Sequence, residues 1–146
     1  MGSPISPILA NLFMEFFEKD LLSESNNGIV KWWRYVDDVF CLISGSTNVN
    51  ELNAMLSSRH TSIKFKYERE ENNRLPFLDC LVIKDTNCGY FKFDIYRKPT
   101  HCNNYIHSFS NHTTNVKIGT MVNIFLRSFK ICDPEFLDKE IRYIYN

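Results

Sequence analysis

The sequence predicts an α+β fold. Three observations carry the prediction: apolar residues at three- and four-residue intervals mark helices near both ends, β-branched and aromatic runs mark strands between them, and tight turn signals join those strands into hairpins. The expected order is a helix, a β-hairpin with an acidic tip, a helix and a strand, then a second β-hairpin and a helical C-terminal lobe. A chain of 146 residues suffices for one domain with a real core or for two small lobes.

The first helix follows Ser6-Pro7, where a hydroxyl can cap exposed amides and proline fits the first turn; Leu9, Leu12, Phe13, Phe16 and Phe17 then form one broad apolar face. Residues 29–36 and 39–43 read as the strands of a hairpin with only Asp37 and Asp38 between them. Trp32 and Trp33 are adjacent, so they point to opposite faces, one inward and one outward. After Gly45, Leu52, Met55 and Leu56 have helical spacing, and Ile63, Phe65 and Tyr67 alternate with charged residues as in a half-buried strand. Residues 68–74 are a charge-dense loop. Residues 75–83 and 90–96 read as the second hairpin around Asp85-Thr86-Asn87-Cys88-Gly89, with Asp79 a structural group inside its first strand.

The stretch 97–111 is polar, basic and irregular. His101, Cys102, His107 and His112 lie there, but their spacing does not match the paired patterns of structural zinc sites. Ile118, Met121, Val122, Phe125, Leu126 and Phe129 mark a helical stripe; Asp133-Pro134 then opens another helix by cap and first-turn proline, with Phe136, Leu137, Ile141 and either Ile144 or Tyr145 on its buried side.

Composition bounds the function. Hydrophobic residues at 44% and charged residues at 23% are ordinary for a globular protein, and no apolar run has the length of a membrane span. Five scattered cysteines without Cys-x-x-Cys spacing, and no secretory signal, place the expected location inside the cell, nuclear or cytoplasmic, with no membrane partner. The zero net charge hides a segregation: between residues 95 and 132 there is no Asp or Glu, while Arg97, Lys98, Lys117, Arg127 and Lys130 all lie there. Those five cations are the candidates for contact with a nucleic-acid backbone.

The acidic tip is the candidate chemical centre. Two carboxylates at about 4 Å repel by roughly 1 kcal/mol in water and more at a protein surface, so the pair is poised to recruit a hard divalent cation. Asp37 and Asp38 are the candidate catalytic and metal-binding residues, since paired metals stabilise attacking and leaving oxygens in phosphoryl transfer.

Met1-Gly2-Ser3-Pro4-Ile5-Ser6-Pro7, set at this distance before Tyr35-Val36-Asp37-Asp38, resembles motifs B and C of reverse transcriptases. Leu75-Pro76-Phe77-Leu78-Asp79, Tyr96-Arg97-Lys98-Pro99-Thr100 and Ser110-Asn111-His112 resemble the downstream signature of the Penelope-like retroelement group. The resemblance implies a partial polymerase palm over residues 1–74, a β-hairpin and basic connector over 75–109, and a thumb-like or helix-turn-helix lobe over 110–146. It further implies an RNA-directed DNA polymerase as parent, using Mg²⁺ or Mn²⁺, an RNA template, a DNA primer and deoxynucleotides. Asp37 would then be the essential metal ligand and Asp38 an accessory one, with Gly2, Ser3, Pro4 and Tyr35 touching template or nucleotide.

Motif A, which supplies a further carboxylate in that family, belongs upstream with the rest of the palm and the fingers. The chain is therefore expected to be a truncated copy or a truncated gene model, inactive alone, with Trp32 or Trp33 and part of the Phe13, Phe16, Phe17 face left open. The competing reading is a non-catalytic nucleic-acid-binding module with a C-terminal helix-turn-helix. A viral RNA-copying polymerase would share the acidic hairpin but not the downstream stretches.

Overall fold

The computed structural model describes residues 4–24, 27–102 and 105–145. The chain is α+β and divides into two compact units, Met1–Glu68 and Arg69–Asn146. The second hairpin region and the helical lobe belong to the same unit.

Unit 1 begins with helix α1, Ser6–Ser23. Ser6 and Pro7 lie inside its first turn, and Ile5 stands at the N-cap position without a side-chain cap bond, so the expected Ser6 cap does not form. Gly2 and Ser3 lie outside the described residues. Strands β1, Ile29–Tyr35, and β2, Asp38–Ile43, pair antiparallel with Tyr35 opposite Asp38. The two-residue loop is thus Val36-Asp37, one residue earlier than the sequence suggested, because Asp38 already belongs to β2. Gly28 enters β1 at φ +73, where a Cβ would meet Thr47 Oγ1 at 2.1 Å, so only glycine fits this crossing.

Helix α2, Val49–Ser58, is capped by Asn48, whose side chain accepts from the Asn50 amide. It buries Leu52 and Leu56 against Leu21 of α1; Phe17, Ile29, Trp32, Ile43, Met55 and Phe65 close this core. Residues 63–67 form no ladder, which corrects the expected strand. Ile63 and Phe65 are half-buried and Lys64 and Lys66 exposed, so the alternation is real; among the described residues no neighbouring strand offers its backbone a partner.

Unit 2 holds a three-stranded antiparallel sheet in the order β3-β4-β5: Arg74–Phe77, Cys80–Lys84 and Phe91–Ile95. The expected strand over 75–83 is two strands, broken at Leu78-Asp79, where Leu78 takes φ +53; Asp79 sits in this turn and not within a strand. Ahead of it, Asn72 and Asn73 both have positive φ and reverse the chain so that Glu71 and Arg74 exchange backbone hydrogen bonds. Pro76, which has no amide to donate, falls on the edge strand β3, where it is tolerated.

Helices α3, Thr114–Ile131, and α4, Pro134–Tyr145, follow, joined by Cys132 and Asp133. On α4, Phe136, Leu137, Ile141 and Ile144 are half-buried while Tyr145 is exposed, which settles the alternative at that end. The connector is fastened to the sheet edge: Asp133 N–H donates to the Phe93 carbonyl at 2.9 Å, and Phe93 N–H donates to Asp133 Oδ2 at 2.6 Å.

Candidate functional site

Two regions carry the candidate chemistry. The first is the hairpin tip of unit 1. Val36 has φ +58, a left-handed conformation that a β-branched side chain rarely adopts and that costs on the order of 1–3 kcal/mol. Arg34 holds it. Its Nη1 donates to the Val36 carbonyl at 3.1 Å and to Asn11 Oδ1 at 3.1 Å, and its Nε donates to Glu18 Oε1 at 2.6 Å. Trp32 Nε1 donates to the same Glu18 oxygen at 3.0 Å. The strained turn is thereby tied to α1 through a little-exposed ion pair.

Asp37 and Asp38 are both exposed, and Tyr35 beside them is 61% exposed. The tip therefore displays carboxylate oxygens of the kind a hard cation takes. Among the described residues no group of three or more His, Cys, Asp or Glu side chains is placed to hold a metal ion. Pro4 is exposed in the turn before α1. Trp32 packs inward on the core while Trp33 faces out and lies 6.0 Å from the Phe40 ring across the ladder.

Arg34, Glu18 and Asn11 were not singled out from sequence. A signal existed: Arg34 falls two residues after the inward Trp32, and Asn11 and Glu18 are seven apart, two turns along one helix face.

The second region is the end of unit 2, where the five candidate cations divide. Arg97 makes a bidentate pair with Glu140, Nη1 to Oε2 at 2.7 Å and Nη2 to Oε1, and its guanidinium stacks 3.9 Å from the centre of the Tyr143 ring. Glu140 is 1% exposed, and its hydrogen bonds hold the Arg97 guanidinium above its usual pKa. Arg127 lies 3.3 Å from Asp79. The segment without acids is thus met by acids from outside it, because folding brings Glu140 and Asp79 onto its two arginines. Lys117 Nζ donates to the Ser108 carbonyl, while Lys98 and Lys130 are exposed.

Helix α4 is anchored along its first turns. Glu135 meets Lys92 at 2.9 Å, Lys139 Nζ meets the buried Asp94 at 2.5 Å, and Glu140 meets Arg97. An open depression of about 560 Å³ there is lined by Arg97, Asp138, Lys139, Glu140, Arg142 and Tyr143, a set that mixes both signs of charge.

Residues 104–146 match the animal helix-turn-helix domain family, less than a third of the chain. No curated protein and no solved structure matches the chain. Among the described residues no helix is long and apolar enough to cross a membrane.

Proposed function

We propose that this chain binds nucleic acid through its C-terminal helix pair and grips the phosphate backbone without reading sequence. The observation that carries this reading is the similarity of residues 104–146 to animal helix-turn-helix domains. In sequence readers of that type the second helix enters the major groove and its N-terminal residues contact base edges. Here the first turns of α4 are committed to β5, and Asp138 faces outward, an unfavourable neighbour for a polyanion. Helix α3 carries no acid, and of the five candidate cations Lys98, Lys117 and Lys130 are those not drawn onto an acid among the described residues.

Replacing Lys98, Lys117 and Lys130 together with alanine tests this. Duplex affinity falls, and the slope of log affinity against log salt flattens by about 1 for each phosphate contact removed. Strong preference for one duplex sequence, or an unchanged slope, would refute backbone gripping. Arg97 is left intact in this variant because its loss would strand the buried Glu140.

A second reading is favoured by the strained, braced tip. In it unit 1 is part of a reverse-transcriptase palm, with Asp37 and Asp38 holding Mg²⁺ or Mn²⁺, which supplies charge stabilisation for nucleotidyl transfer when bound. Arg34 then acts as a positioning residue that fixes where the carboxylates stand. RNA template, DNA primer and deoxynucleotides are the partners of that reading, and the missing carboxylate must come from a motif A segment. Primer extension by this chain with Mg²⁺ or Mn²⁺ is expected to be nil. Templated extension that Asp37→Asn abolishes would show a complete catalytic site.

A further inference from the structure

Helix α1 is apolar on two sides. One side, with Phe17 and Leu21, faces the core of unit 1. The other presents Ile5, Ile8, Leu9, Leu12, Phe13 and Phe16, which are between 45 and 74% exposed. Phe13 touches the His60 ring at its margin, yet the stripe as a whole remains largely exposed, and an exposed apolar patch of this extent ordinarily marks an interaction surface. We propose that the occupant is a second copy of this chain, with the two α1 helices packed antiparallel about a two-fold axis between Ala10 and Asn11.

The stripe is its own complement. Its spacing of three, one, three, one and three reads the same in both directions. Reversal sets Ile5 against Phe16, Ile8 against Phe13 and Leu9 against Leu12, so each phenylalanine meets an aliphatic side chain. The rows Ile5-Leu9-Phe13 and Ile8-Leu12-Phe16 are the ridges that pack into a facing helix. A two-fold contact needs such a self-complementary patch.

Charge agrees. Between Pro4 and Glu18 the one charged residue is Glu15. In the antiparallel pair Glu15 lies level with Ser6 of the second copy, at the helix start, where unpaired amides favour an anion. The two Glu15 residues are about 13 Å apart along the axis, beyond the screening length at physiological salt. With no cation along the stripe, neither a nucleic acid nor an anionic membrane suits it. The outward area is on the order of 500 Å² per copy, so a pair buries roughly 1,000 Å², enough for a reversible dimer.

The test is sedimentation of the full chain through the micromolar range, without nucleic acid, so that it stands apart from the binding reading. The expected result is a monomer–dimer equilibrium between 17.2 kDa and twice that mass. Leu12→Glu and Phe16→Glu should each weaken the dimer at least tenfold while leaving circular dichroism and the melting temperature unchanged, since both positions are exposed. Leu126→Glu on α3 should leave it intact. With Cys88 and Cys102 replaced by serine, a mixture of Leu9→Cys and Leu12→Cys chains should form a mixed disulfide under air. A monomer at all concentrations, polydisperse aggregates, or a dimer that survives Leu12→Glu or is lost with Leu126→Glu would each overturn the proposal.

Discussion

Val36 is the residue at which local energy and local purpose diverge. A valine at φ +58 is costly, and the hydrogen bond from Arg34 to its carbonyl is the device that holds it. Asparagine tolerates this region without the full entropic cost of glycine. Val36→Asn should therefore raise the denaturation midpoint of unit 1, by about 1 kcal/mol in stability. Val36→Ile, equally branched, should give no gain. If urea unfolding shows no difference between the two variants, strain at the tip is not what sets their stability.

At the scale of elements, Asp133 fastens the α3–α4 connector to β5 by two hydrogen bonds with Phe93. Asp133→Ala removes the acceptor of the Phe93 amide and should cost about 1–2 kcal/mol, visible as a lowered melting temperature of unit 2 with the hairpin of unit 1 unaffected. Hydrogen exchange at Phe93 should accelerate in the same variant. This fastening was invisible in the sequence, since Asp133 reads as a helix cap and its partner lies 40 residues away. Helices α1, α3 and α4 were legible because their apolar spacing is periodic, and the acidic hairpin because its strands are β-branched and aromatic. The break between β3 and β4 was not, because the residue that takes positive φ there is Leu78, a type that seldom adopts it, and Asp79 alone is a weak turn signal inside an apolar run. Asn72-Asn73 did carry a turn signal, masked by the charges around it. Of the candidate site, the displayed Asp37 and Asp38 could be read directly. The pairing of Arg97 with Glu140 could not, since a charge count along the chain is blind to a partner 43 residues on.

Across the whole molecule, thiol chemistry links both units to pH. Burial pushes the Cys41 thiol in unit 1 and the Cys80 thiol in unit 2 up to about 11 from an ordinary value near 9. The folded chain then holds protons that the unfolded chain has already lost. Their contribution to stability is complete below about pH 9 and disappears as pH rises toward 11. The double variant Cys41→Ser, Cys80→Ser should show a shallower fall over that window than the parent chain. Alkylation at pH 8 should mark the exposed Cys88 and Cys102 first. Rapid labelling of Cys41 in the folded chain would contradict the burial assigned to it.

The sheet of unit 2 also bears on how the protein fails. An open strand edge is where chains add to one another and grow into fibres. Here Asp133 occupies the outer hydrogen-bonding groups of Phe93, Asp94 Oδ1 accepts the amide of Ile95, and Pro76 interrupts the opposite edge. A strand from a neighbouring molecule finds neither margin free to extend, so cross-β growth from this sheet requires the helices to peel away first.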